Sequence, residues 1–350
     1  MLDYIVVGLG LAGMAFCEIL EENNKKFIAF NDQSQSSSRI AGGLSNPLIL
    51  KRFTLAWRAD ELIPESNEFY GNLEQKLQKT FLQDLGVYRR FYSVEEQNSW
   101  FEASDKKQLK RFLDPHLVRN DNNQLAAPYD FGSVLHAKKL DTESLLNEYT
   151  KYLKNKDLLR AQQFDYEEIT FKETCVSYKG TQAKNIVFAE GFGLKKNPFF
   201  NYLPMQGSKG EYVTIKAPLL KEQHAIKSSM FIIPLGNDRY KVGATYNNND
   251  FTITPTIPAK EQILRKLEEV LLCPYEVIAH DAGVRPTVKD RRPLIGKHPT
   301  HQLLSVLNGF GSHGVMIAPW AARQLYNHME YASPISTDAS IDRFKNIIVD

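Results

Sequence analysis

Six residues near the N-terminus, Gly8-Leu9-Gly10-Leu11-Ala12-Gly13, have the G-x-G-x-x-G spacing that cradles a dinucleotide pyrophosphate. Each glycine has its own duty. Gly8 permits a tight turn, Gly10 has no Cβ and lets the backbone approach a phosphate, and Gly13 lets a helix pack close to a strand. Leu11 and Ala12 open that helix, whose free N–H groups and positive dipole end face the phosphates. Such sites also need a ribose acceptor at the end of the next strand. The position is Asn31, with Asp32 after it. An asparagine accepts and donates, an aspartate accepts, and the ribose contact falls to one of the two. No basic residue stands there to meet a 2′-phosphate, which disfavours NADP.

Other chemistries find little support. The eight histidines form no HExxH and no Cys/His cluster, so no metal site is expected. Phe310-Gly-Ser-His-Gly314 misses the nucleophile elbow by its first glycine. Cys17, Cys175 and Cys273 are odd in number, far apart, and read as small buried hydrophobes in a reducing compartment. With no basic leader and no apolar run near the ~18 residues of a membrane span, a cytoplasmic protein is expected. Forty-three Lys and Arg against 41 Asp and Glu speak against a dedicated nucleic-acid binder.

The elements that must position the fingerprint are legible. Tyr4-Ile-Val-Val7 is an apolar run bounded by glycine, as in a strand buried on both faces. Ala12, Phe16, Ile19 and Leu20 recur at helical spacing, and Phe27 to Phe30 form a second strand. Gln33–Ser38 reads as loop. Residues 54–111 read as mostly helical, carried by Phe69, Tyr70, Leu73, Leu77 and Phe81. Asp141 caps a helix. Strands are expected within 166–192 and 210–246, a helix over 259–272, a strand at 303–307, and a last helix to about His328, with Pro319 near its start.

Four further segments decide which dinucleotide is bound. Ser37-Ser38-Arg39-Ile40-Ala41-Gly42-Gly43 resembles the small-residue stretch of D-amino-acid-oxidase-like flavoenzymes, where the chain passes close to the flavin. Ile186-Val-Phe-Ala-Glu-Gly191 resembles the family's segment near the adenosine end. Ala282-Gly-Val-Arg285-Pro286, continued by Asp290-Arg-Arg-Pro293-Leu-Ile-Gly296, is similar to the C-terminal signature of glycine oxidase and sarcosine oxidase relatives, and Asn308-Gly-Phe-Gly311-Ser312-His313-Gly314-Val315-Met316 matches their flavin-closing loop and helix.

The resemblance implies an α/β fold: a discontinuous Rossmann-like FAD-binding domain (residues 1–50, 135–195 and 280–350) and an α+β substrate domain built on an antiparallel sheet (51–134 and 196–279). It implies FAD held by Gly8, Gly10, Leu11, Ala12, Gly13, Asn31 or Asp32, Ser38, Arg39, Gly42, Gly43, Gly191 and the run Gly311 to Met316. The cofactor is expected to be non-covalent, because Cys273 precedes the Arg285 segment whereas the family's flavin-linked cysteines follow it. Flavin oxidation of an amine asks for a substrate anchor rather than a triad. Arg285 is the candidate, since a guanidinium grips a carboxylate bidentately. Tyr246 is a second pocket residue, with Arg52, Arg58 and His313 as further options. The activity implied is oxidation of the C–N bond of an amino acid or secondary amine bearing a carboxylate. Two alternatives stand beside it: a tRNA wobble-uridine carboxymethylaminomethyl oxidase, and a flavin-binding module without turnover.

Overall fold

The computed structural model describes residues 1–347. One sheet carries five parallel strands in the order Leu159–Arg160, Phe27–Phe30, Leu2–Val7, Thr181–Phe188 and Leu304–Asn308. Ile169–Phe171 and Val176–Tyr178 add an antiparallel meander, and Leu294–Lys297 pairs antiparallel with Leu304–Asn308. The first strand shows why its run is apolar throughout. Tyr4 and Val6 pack with Phe16, Ile19 and Leu20 of the helix Leu11–Glu22, while Ile5 and Val7 pack on the other face with Phe30, Phe188 and Phe200.

A second, eight-stranded sheet runs in the order Glu276–Val288, Met205–Lys216, Arg239–Gly243, Phe231–Gly236, Ala225–Lys227, Val87–Arg90, Phe131–Val134, Leu113–Val118. It is antiparallel except where Ala225–Lys227 meets Val87–Arg90. Residues 54–111 are therefore less helical than their spacing suggests. Helices cover Ala59–Leu77 and Val94–Ser104, but Leu82–Asp84 and Val87–Arg90 between them are strands. The reason is non-local: Val87–Arg90 is held by partners more than 40 residues away on one side and more than 130 on the other.

The expected lobe boundary at residue 280 falls inside one continuous strand, which pairs with Met205–Lys216 along its length. Residues 348–350 of the expected cofactor domain lie outside the described residues. The two sheets are tied by the serine-rich stretch. Ser37–Ile40 is a helical turn rather than loop, and the Ser36 and Ser37 hydroxyls donate to the Ala282 and Val284 carbonyls of the second sheet.

Asp141 caps its helix as expected, accepting from the Ser144 amide at 3.1 Å. Pro319 sits at the sixth position of the helix Gly314–Tyr331, deeper than a first-turn proline. Lacking an N–H, it cannot bond the Val315 carbonyl. The buried Tyr70 hydroxyl donates to that carbonyl instead, at 2.9 Å. Tyr70→Phe is expected to destabilise the protein by about 1–3 kcal/mol, the cost of a buried orphaned carbonyl, read as a drop in urea midpoint at unchanged m-value. An unchanged midpoint would show that the carbonyl finds another donor.

Candidate active site

The fingerprint turn is built by backbone contact. Gly8 has φ +95°, and a Cβ there would stand 2.5 Å from the Ala189 carbonyl oxygen; a Cβ on Gly13 would fall on the Gly8 carbonyl oxygen. The turn thus fits only if both are glycine. Its amide ladder closes with Gly8 N–H on the Phe30 carbonyl and Ala189 N–H on the Val7 carbonyl.

What the turn exposes is a set of donors. The first bond inside the helix is Met14 N–H to the Gly10 carbonyl. Leu11 N–H donates to Ser38 Oγ at 3.2 Å. The Ala12 and Gly13 amides have no acceptor among the described residues, the N-cap residue Gly10 has no side chain to offer, and the first turn holds no acidic residue. A second helix opens at the same place. Gly314 begins a helix that also lacks a side-chain cap, and a Cβ on it would lie 3.5 Å from Leu11 Cδ1. Two positive helix ends with free N–H groups meeting a glycine turn fit a diphosphate, and with it FAD.

The remaining cofactor candidates divide. Ser38 stands over Gly10, with its Oγ 3.1 Å from where a Cβ would be. Gly42 packs on Ile233 and Tyr212 of the second sheet, and Gly43 crosses the Leu140 carbonyl. The Gly191 carbonyl accepts from Asn308 Nδ2 at 2.9 Å. Gly311 N–H donates to the Pro286 carbonyl at 3.0 Å, which fastens the C-terminal loop beside Arg285. Asn31 and Asp32 end their strand together; Asp32 is exposed and already accepts from the Ser34 amide, while the Asn31 side chain has no partner among the described residues. Ser312 is exposed, and Val315 and Met316 point into the core, leaving only backbone to face a ligand. Arg39 turns away and bonds Asn147 on the helix Thr142–Asn155. Burial, then the Arg291 charge, hold His313 below the ordinary histidine range.

Arg285 and Tyr246 come together. Arg285 sits on the strand Glu276–Val288 opposite Ser208, and its guanidinium lies across Gly210, where any Cβ would overlap it. Its Nη1 donates to the Thr245 carbonyl at 3.3 Å, and its Cζ stands 4.6 Å from the Tyr246 ring centroid. No carboxylate among the described residues lies within ion-pair distance of it; Asp290 is taken by Arg343. Tyr246 is 73% exposed, so the stacked pair faces solvent. Arg58 is used structurally, bonded to Glu61 and Ser336 between Trp57 and Trp320, and Arg52 is exposed.

The sequence profile described as FAD dependent oxidoreductase matches residues 3–327. The chain belongs to this family. The FAD-dependent oxidoreductase is 22% identical over 344 residues to the glycine oxidase of Bacillus subtilis (strain 168), covering 91% of this chain and 90% of that one. Its fold is that of the glycine oxidase from Geobacillus kaustophilus, with TM-score 0.81, 18% identity and 95% of each chain covered. It is also that of an iminodiacetate oxidase from Chelativorans sp. BNC1, with TM-score 0.77, 16% identity, and 97% and 99% covered.

The oxidoreductase also holds groups whose roles the sequence does not announce. Gly210 was signalled only by being a glycine inside a strand, a mark of close approach. Glu190 follows Ala189 beneath the Gly8 turn, accepting from Tyr166 Oη at 2.5 Å and Asn197 Nδ2 at 2.8 Å. Burial raises its carboxyl to about 7 against the lowering effect of those bonds, and the nearby Asp32 charge adds to the rise. A raised folded-state pKa gives a contribution that is full below the unfolded value and lost as pH climbs through about 7. Relative to Glu190→Gln, the wild type is expected to lose on the order of 3 kcal/mol between pH 4.5 and 8, measured by urea unfolding. Parallel pH profiles for the two proteins would contradict this.

Proposed function

We propose that this oxidoreductase oxidises the C–N bond of an amino acid or secondary amine, with Arg285 gripping the substrate's carboxylate. The observation that carries the reading is an arginine with no carboxylate partner among the described residues, held flat over Gly210, stacked on Tyr246 and open to solvent. A guanidinium so placed presents its fork to an incoming carboxylate with little entropy left to lose. Tyr246 limits its tilt, and the Thr245 carbonyl occupies one edge. The relatives are named for glycine and iminodiacetate, small amines bearing carboxylates, which fits this anchor.

The Ala12 and Gly13 amides, Ser38 and the opening of the helix Gly314–Tyr331 would hold FAD, with Asn31 or Asp32 on its ribose. Bound FAD supplies the hydride acceptor. The chain's own residues bind, orient and shield: Arg285 would set the substrate plane, and the loop Gly309–Gly314, fastened beside it through Gly311 N–H on the Pro286 carbonyl, would shield the site. All three cysteines are buried and free, which supports a reducing, cytoplasmic setting, and we take the cofactor to be non-covalent. The lobes divide between the two sheets, the first for cofactor and the second for substrate.

The test is a visible spectrum of purified protein, acid release of the flavin, then anaerobic mixing with glycine, D- and L-amino acids, N-methyl amino acids, iminodiacetate and a carboxymethylaminomethyl nucleoside. Bleaching by carboxylate-bearing amines and not by methylamine or dimethylamine supports the reading. Equal bleaching by amines without a carboxylate, or none by any member, overturns it. Bleaching by the nucleoside alone selects the tRNA-type substrate.

A further inference from the structure

The strand Met205–Lys216 has two working faces. Ser208, Gly210 and Tyr212 alternate on the face that carries Arg285, and Lys209, Glu211 and Val213 alternate on the other. Lys209 is wholly buried, which a lysine tolerates only when its ammonium is fully paired. Its Nζ lies 2.6 Å from Asp250 Oδ2, 2.6 Å from the Thr254 carbonyl and 3.1 Å from Thr252 Oγ1. All three partners belong to the segment that follows Tyr246.

That segment has no regular structure and is pinned to the strand at successive points. Thr245 N–H donates to the Glu211 carbonyl, and Glu211 N–H donates to Thr245 Oγ1. Lys209 and Asn247 exchange two backbone bonds, at 2.7 and 3.0 Å. Thr256 N–H and Oγ1 donate to the Glu211 carboxylate. Phe251 lies over Gly207, where a Cβ would meet its ring at 2.5 Å, and packs on Phe192 next to Gly191. Tyr246 itself is exposed and touches little besides Arg285, so its place follows from where Thr245 and Asn247 are fixed.

We propose that Lys209 is a positioning residue: its buried ion pair with Asp250 fastens the 247–254 loop and so sets Tyr246 and the Thr245 carbonyl against the Arg285 guanidinium. The functional consequence rests on the reading of Arg285 as carboxylate anchor. The Lys209 ammonium, and then the Thr252 amide and hydroxyl, hold the Asp250 carboxyl down to about 2, so that carboxyl is ionised at neutral pH. Neither Lys209 nor Asp250 faces the substrate side of the sheet, which separates this role from catalysis.

The test uses holoenzyme and two readouts: backbone hydrogen exchange over residues 247–254, and acetate titrated as a carboxylate probe and followed by the visible flavin band. Asp250→Ala removes the pair from its partly exposed side and leaves the buried ammonium with the Thr254 carbonyl, Thr252 Oγ1 and the Glu211 carboxylate 3.7 Å away, so a circular dichroism melt accompanies each readout to establish that the variant is folded. Exchange in the loop is expected to quicken and the acetate Kd to rise, each about tenfold, the scale of one charge-assisted hydrogen bond. Flavin content is expected to be unchanged. Asp250→Glu, which keeps the charge, restores both readouts, and Lys209→Met reproduces the loss. Unchanged exchange in Asp250→Ala overturns the staple, and faster exchange with unchanged acetate affinity overturns the positioning role. If Arg285→Ala binds acetate as the wild type does, the anchor reading fails, while the exchange data still decide whether Lys209 sets the loop.

Discussion

Replacing Arg285 with alanine is expected to lower kcat/KM by about 30- to 1000-fold while leaving flavin content unchanged. That range corresponds to about 2–4 kcal/mol, the scale of a charge-assisted bidentate bond broken in a partly desolvated site. Both parameters should suffer. KM rises because the carboxylate has no partner, and kcat falls because an unanchored substrate presents its reacting C–H poorly. The structure makes the variant clean: Arg285 carries no ion pair to break among the described residues, and the one hydrogen bond its guanidinium makes among them, to the Thr245 carbonyl, is long at 3.3 Å. Arg285→Lys is expected to recover only part of the deficit, since an ammonium reproduces the charge but not the planar fork. Steady-state kinetics with a flavin-to-protein absorbance ratio on each preparation decide the matter. Loss of flavin or of the fold, with normal turnover in whatever holoenzyme remains, would make Arg285 structural.

Gly13→Ala is expected to yield protein that takes up no FAD and unfolds earlier than wild type. Its new Cβ would fall on the Gly8 carbonyl oxygen, a backbone atom whose own position is fixed by the Phe30 and Ala189 contacts. The helix must lift off the strand, at a cost of about 3 kcal/mol or more, the upper end of overpacking penalties. Gly10 behaves differently. Its Cβ direction meets only Ser38 Oγ, at 3.1 Å, and a hydroxyl can rotate away. Gly10→Ala should therefore fold normally. Gly10→Val should fold too, but bind FAD poorly, because the branched side chain fills the phosphate approach. Circular dichroism melts and flavin-to-protein ratios separate the two effects. Full flavin occupancy and an unchanged Tm in Gly13→Ala would show that the turn tolerates a side chain there.

The N-terminal strand, turn and helix were determined by the sequence alone, because a buried strand, a glycine turn and a helix face are all written within a few residues of one another. The pairing of Tyr246 with Arg285 was half legible: each was a candidate on its own, and neither showed that one would stack on the other. The strand Val87–Arg90 was not legible, since its pairing comes from residues far along the chain and its own four residues carry no helical or strand period. Glu190 and Lys209 read as ordinary charged residues. Only tertiary packing buries the Glu190 carboxyl under the Gly8 turn and surrounds the Lys209 ammonium with Asp250, Thr252 and Thr254. Local periodicity determines which backbone elements form. The electrostatic state of a side chain depends on the water removed and the partners supplied by distant segments, and that is decided only when the sheets close on one another.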